Sequence, residues 1–157
     1  MNKFGNIEIL ASNCNLSTIN DGRGGIFTWV TDEPIFEFNM VYFSPGKVRG
    51  NHFHPEFNEY FLVVEGSVVM VTKDPKSNSD ITMLASKGNC FRTPIGVSHA
   101  VHALTDATCI SLLTKPWDEC TYPIIHEDLI PMDEEYIKYA KEKGFKHSIE
   151  EIKKNKS

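Results

Sequence analysis

The chain has 157 residues, 41% of them hydrophobic and 24% charged, with a formal net charge of -5. That is the size of one ordinary globular domain, and the negative balance argues against a nucleic-acid partner, since such domains carry a basic stripe that neutralises phosphates. No apolar run approaches the roughly 18 residues of a spanning helix, and the start MNKFGNIEIL has too short an apolar stretch for a secretory signal, so a cytoplasmic protein with no membrane partner is expected.

From about residue 6 to 115 the chain reads as short strands. FEFNMVYF (36 to 43), EYFLVVEG (59 to 66), SVVMVTKD (67 to 74), DITMLA (80 to 85), NCFRTP (89 to 94), SHAVHAL (98 to 104) and TCISLLTK (108 to 115) are rich in β-branched and aromatic residues. SPG, DPKSNS and PIG break them at turn-like intervals, which predicts an all-β sandwich or barrel. No helix-period segment interrupts that span, which argues against alternating strand and helix. After Pro131 the pattern changes. MDEEYIKYAKEKG offers Asp133 as an N-cap and Gly144 as a C-cap, and HSIEEIKKNKS repeats the device with Ser148 and Glu151 as a capping box. The expected organisation is a barrel domain over 1–130 and a helical extension over 131–157 packed on it. Cys14, Cys90, Cys109 and Cys120 are scattered without CxxC spacing, which suggests reduced thiols.

The stretch GKVRGNHFHPEFNEYFLVVEG places two histidines in a run that otherwise reads as strand. Residues i and i+2 of a strand share a face, so His52 and His54 project together while Phe53 turns away. Two imidazoles aimed at one point can hold a cation. Glu59 can return to the same side, and His99, at the start of a strand after a Pro-x-Gly turn, is the candidate for a fourth donor. Three imidazole nitrogens and a carboxylate oxygen suit a divalent transition metal. Taken alone, the HxH pair reads more readily as chance, with His99 making an ordinary core hydrogen bond.

Together the two segments match the motifs of the cupin superfamily. Gly46, His52, His54, Glu59 and Gly66 fit G(X)5HXH(X)3-4E(X)6G, and Gly88, Pro94, Gly96 and His99 fit G(X)5PXG(X)2H. The chain resembles the cupins over about residues 36 to 115. The resemblance implies a small antiparallel jelly-roll barrel, here with a short C-terminal helical tail, in which His52, His54, Glu59 and His99 converge inside one open end on a divalent transition metal such as Zn, Fe, Mn or Ni. Ala103 stands where the second motif usually ends in Asn, a departure that bears on pocket polarity rather than on metal binding.

RGNHFH (49 to 54) and DGRGGIFTWV (21 to 30) are similar to segments of the nucleotide-sugar cupins, the 3,5-epimerases and ketoisomerases of surface-polysaccharide synthesis. That resemblance implies an isomerase or epimerase that abstracts a proton next to a keto group of a nucleotide-linked sugar. Arg49 would pair with substrate phosphate or with the enolate, or else form a surface ion pair. Tyr122, in PWDECTYP, lies where the epimerases place a tyrosine acid, or else packs beside its prolines. In the metal-free epimerases the first His of the motif is the base, and a metal-bound His52 has no lone pair left for that task. The complete donor set favours His52 as a ligand, leaving the base unassigned. His102 is expected on the opposite strand face. Two other readings use the same residues: a metal-dependent dioxygenase or lyase acting on a small acid, and a non-enzymatic cupin that binds a small molecule. A homodimer is expected, because pairing of subunits protects an edge strand.

Overall fold

The computed structural model of the chain describes residues 2–12 and 22–130. The expected helices and the 131–157 extension lie outside the described residues, as does Cys14. Among the described residues there are eleven strands: β1 (Asn2–Phe4), β2 (Ile7–Leu10), β3 (Glu37–Phe43), β4 (Val48–Phe53), β5 (Glu59–Glu65), β6 (Ser67–Lys73), β7 (Asp80–Ser86), β8 (Cys90–Thr93), β9 (His99–Ala103), β10 (Ala107–Leu113) and β11 (Ile125–His126). Every segment expected between 36 and 115 is there, its ends shifted by a residue or two. β1, β2 and β11 were not foreseen, because strands of two to four residues are too short to establish an alternation.

The strands form two antiparallel sheets, one six-stranded in the order β1-β2-β8-β5-β10-β3 and one five-stranded in the order β11-β4-β9-β6-β7. This is the two-sheet, jelly-roll-like barrel that the motifs imply. Alternation sends one side of each strand inward. Along β10, Ala107, Cys109, Ser111 and Leu113 are buried while the residues between them are half-exposed. Phe61 stands opposite Phe91 across β5 and β8, and both join Val63, Val68, Met70, Val101 and Cys109 in the main core. Burying each such phenylalanine stabilises the fold by roughly 1.5–3 kcal/mol. Ala103 is part of that apolar cluster and does not line the cavity, so the missing Asn leaves pocket polarity untouched.

Two glycines are required by close backbone approach. Gly66, at φ 85°, joins β5 to β6, and a Cβ there would lie 2.1 Å from the Asp106 carbonyl oxygen. Gly50, at φ 86°, lets β4 approach β9, where a Cβ would lie 2.7 Å from the His99 carbonyl oxygen. The β4–β9 register shifts between Gly50 and His52, a bulge that sets His52 directly opposite His99. The RG step of the first motif therefore has a structural cause.

Cys90, Cys109 and Cys120 are free thiols, and burial pushes the first two up to about 11, which leaves them inert. Among the described residues no helix is long and apolar enough to cross a membrane.

Candidate functional site

Between the two sheets lies a cavity of about 290 Å³ whose lining includes Val41, Phe43, Phe61, Val101, Leu113, Trp117 and Ile124, with His52, His54, Glu59 and His99 grouped in its wall. β4 supplies His52 at its end, His54 follows one residue beyond it, β5 opens with Glu59 and β9 opens with His99. The three imidazole rings stand 4.7, 5.0 and 5.1 Å apart between centroids. Each offers a nitrogen within 4.8 Å of the others'. The two motifs are also tied by their backbones, since the Gly96 N–H of the Pro-x-Gly turn donates to the His54 carbonyl at 2.9 Å.

Hydrogen bonds fix which nitrogen faces inward. His54 Nδ1 is 3.0 Å from the Pro123 carbonyl and His99 Nδ1 is 3.1 Å from the Val97 carbonyl. A carbonyl only accepts, so both Nδ1 atoms carry the proton and both Nε2 atoms are left for the site. Those Nε2 atoms lie 3.6 and 3.5 Å from Glu59 Oε1. His54 is buried and its Nε2 has no hydrogen-bond partner among the described residues. Phe57, stacked on the His54 ring with centroids 4.3 Å apart, holds its plane.

Electrostatics sharpen the picture. Burial alone would raise the Glu59 carboxyl, but the His54 and His99 rings and the Ser111 hydroxyl hold it down at about 2. Burial lowers His52 well below its ordinary range, reinforced by His99, His54 and His126, and it lowers His99 despite the attraction of Glu59. The site thus gathers a buried carboxylate and, at His52 and His99, imidazoles whose charged form burial disfavours. Such a cluster suits a cation. The donor set fits a divalent transition metal, and the orphaned His54 Nε2 is the observation that makes the fit specific.

Of the residues expected from sequence, His52, His54, Glu59, His99 and Arg49 come together and Tyr122 does not. Arg49 lies at the cavity, its Nε donating to the Tyr42 carbonyl at 3.3 Å and its guanidinium over the Phe43 ring at 5.6 Å from the centroid. Tyr122 is not among the residues that line the cavity; its backbone N–H donates to the Glu56 carboxylate at 2.6 Å. Its neighbours serve instead, Pro123 through the carbonyl that orients His54 and Ile124 through the side chain in the wall. Glu56 pairs with Lys115 and Lys73 with Asp80, and neither Glu56 nor Lys73 lines the cavity. His102 is on the far face of β9, as the alternation requires.

Sequence reasoning missed Ser111, whose hydroxyl donates to Glu59 Oε2 at 2.7 Å and so turns Oε1 toward the histidines. Its signal was present: in ATCISLL it is the one polar side chain at the inward positions. Trp117 and Ile124 left no such trace, because they come from an irregular segment with no period.

The family model described as polysaccharide biosynthesis C-terminal domain matches residues 19–129. No curated protein matches the chain. Among solved structures, a 3,4-ketoisomerase from Helicobacter canadensis is similar at a TM-score of 0.66 and 17% identity, over 79% of this chain and 92% of that one. An rmlC epimerase from Mycobacterium tuberculosis is similar at 0.64 and 17% identity, over 95% and 92%. The capsular polysaccharide assembling protein CapF from Staphylococcus aureus is similar at 0.54 and 25% identity, over 76% of this chain and 32% of its own, so the chain spans about a third of CapF.

Proposed function

Because the chain belongs to the polysaccharide biosynthesis C-terminal domain family, we propose that it is a sugar-nucleotide isomerase or epimerase that moves a proton on the carbon beside a keto group. The observation that carries this reading is an apolar cavity with Arg49 in its wall and a cation-seeking cluster of buried acceptors beside it. Two structures of similar fold support it, one a 3,4-ketoisomerase and one an rmlC epimerase.

His52, His54, Glu59 and His99 would hold the metal. When bound there, a divalent ion supplies a Lewis acid where the oxygen of a keto group gains charge as its α-proton leaves. The chain's own residues do the rest. Phe61, Leu113 and Ile124 exclude water from the cavity, and Arg49 pairs with the phosphate of the substrate. Ser111 keeps the Glu59 carboxylate turned toward the two Nε2 atoms. Ser111→Ala is expected to weaken the affinity for Zn²⁺ by about 10–100-fold, the usual cost of losing an outer hydrogen bond to a ligand. Titration against a competing chelator measures it, and an unchanged affinity refutes the role of the hydroxyl.

One observation favours a second reading of His52. His54 and His99 each spend Nδ1 on a backbone carbonyl, whereas the His52 ring makes no hydrogen bond among the described residues. A neutral, unanchored imidazole can take the α-proton, leaving His54, Glu59 and His99 to hold the ion.

The test is solvent exchange in D₂O with a dTDP-linked 4-keto sugar, before and after chelation, followed by mass spectrometry. Deuterium incorporation that stops on chelation supports metal-assisted proton transfer. In that case a His52→Asn variant that keeps stoichiometric metal yet no longer exchanges makes His52 the base, and one that loses the metal makes His52 the fourth ligand. No incorporation, together with no rise in melting temperature on adding nucleotide-linked keto sugars, overturns the isomerase reading. Oxygen consumption by iron-loaded protein would then point to the dioxygenase alternative.

A further inference from the structure

The pairing of β11 with β4 runs out at two prolines. Ile125 stands opposite Phe53 and His126 opposite His52. Carried further along both segments, the same register sets Pro123 opposite Pro55 and Tyr122 opposite Glu56. Proline has no N–H to give a ladder, so backbone pairing stops there. A side chain continues it. Glu56 Oε2 accepts the Tyr122 N–H at 2.6 Å, in the place a backbone carbonyl would take on a longer strand. The other oxygen, Oε1, accepts from the Lys115 ammonium at 2.9 Å.

Those two bonds hold both ends of one excursion of the chain. Lys115 follows the end of β10, Tyr122 leads toward β11, and between them the backbone turns through a short 3-10 helix, Trp117–Glu119. The excursion and the residues after it serve the site directly. Trp117 and Ile124 wall the cavity, and the Pro123 carbonyl meets His54 Nδ1 at 3.0 Å. Glu56 is two residues from His54 in the turn after β4, so imidazole, carboxylate, Tyr122 N–H and Pro123 carbonyl close into one ring of contacts. Phe57, the next residue, stacks on His54 and lies 6.2 Å from the Trp117 ring, between centroids. The Glu56 and Lys115 side chains are 24% and 36% exposed, and an ion pair so open to water adds little stability on its own. What it supplies is geometry.

We propose that Glu56 is a positioning residue for the cluster. By fastening Tyr122 it holds the Pro123 carbonyl at His54 Nδ1, which keeps the His54 proton on Nδ1 and the Nε2 lone pair open to the site. By fastening Lys115 it sets the start of the segment that carries Trp117 over the cavity. The tautomer follows from geometry alone, whereas the effect on Zn²⁺ affinity rests on the reading of the cluster as a metal site. The two bonds can be separated chemically. Glu56→Gln keeps an acceptor for the Tyr122 N–H and loses the charge that draws Lys115. Glu56→Leu fills similar space with no acceptor at all, as Glu56→Ala does with less bulk.

Two measurements on the untagged full-length chain test this. Long-range ¹H–¹⁵N spectra of metal-free protein with labelled histidine read the tautomer, the His54 signals being those lost in His54→Ala. Chelator competition reads Zn²⁺ affinity. The wild type and Glu56→Gln should show the proton on Nδ1, and Glu56→Leu and Glu56→Ala should populate the tautomer protonated on Nε2. The latter two should bind Zn²⁺ about 10-fold more weakly, the low end of the cost of an outer contact, with Glu56→Gln within about 3-fold of the wild type. Circular dichroism confirms each fold, and a defect in one acceptor-free variant leaves the other as the test. An unmoved His54 tautomer in the folded acceptor-free variants overturns the role of Glu56. So does a Glu56→Gln that matches Glu56→Leu in both measurements, because the charge and not the Tyr122 bond would then be the cause. A wild type that takes up no Zn²⁺ overturns the metal reading instead, and the tautomer by itself then decides on Glu56.

Discussion

His54→Ala is expected to abolish stoichiometric metal binding. Losing an outer partner of a metal ligand costs about 10–100-fold in affinity, and losing a ligand itself costs more. His54 is central to the cluster, its Nε2 directed at Glu59 and its Nδ1 bound to Pro123. The substitution also has a distinctive stability signature. In the metal-free protein it removes a buried nitrogen that has no hydrogen-bond partner, which offsets part of the cost of losing the contact with Phe57. Added Zn²⁺ should therefore raise the melting temperature of the wild type, through mass action, and leave that of His54→Ala unmoved. Elemental analysis of untagged protein and a metal titration followed by thermal unfolding measure the two effects. Full occupancy in His54→Ala would remove the metal site from consideration.

Asn51→Ala should be among the most destabilising single substitutions in the barrel. Asn51 is fully buried at φ 57°, between Gly50 and His52 in the bulge of β4. Its Nδ2 donates to the Ile130 carbonyl at 2.7 Å, and its Oδ1 accepts from the Leu129 and Ile130 N–H groups at 3.0 and 3.1 Å. Alanine loses all three bonds, strands backbone groups at a buried site and occupies a left-handed conformation that costs a non-glycine residue roughly 1–2 kcal/mol. The expected loss is about 3–5 kcal/mol. Asn51→Gly separates the causes: it relieves the backbone term and recovers about 1 kcal/mol, while the lost bonds stay lost. Urea denaturation of both variants gives the numbers. A loss below about 1 kcal/mol in Asn51→Ala would mean that the 127–130 segment is held by other contacts.

Asn51 also links stability to the site. The same segment pairs β11 with β4 at His52 and Phe53, and the Glu127 N–H donates to the Asn51 carbonyl. Loosening it shifts Pro123, the acceptor that sets the His54 tautomer. Asn51→Ala should therefore also weaken Zn²⁺ binding in protein that is still folded, and chelator competition below the unfolding transition checks this.

The amino-acid sequence by itself determined the strands between 36 and 115 and the identity of the histidine and glutamate cluster. Both are local signals. Period-two alternation assigns each side chain to a face within a few residues, and the motif spacing places His52, His54, Glu59 and His99 at strand ends whatever the rest of the chain does. Gly50 and Ser111 were partly legible for the same reason, one as a glycine two residues before the first histidine, the other as a polar residue at an inward position. Only the tertiary structure decided the relations between distant segments. That Pro123 rather than Tyr122 reaches the site, that Asn51 holds residue 130, and that Trp117 and Ile124 close the cavity all depend on how an aperiodic segment closes over the barrel. The facing of β3 belongs to the same class. FEFNMVYF announces a strand with alternating faces, yet both faces are rich in apolar residues, so the pattern is silent on which one the core takes. Pairing with β10 at the edge of the sheet turned Val41 and Phe43 inward and left Phe38, Met40 and Tyr42 exposed.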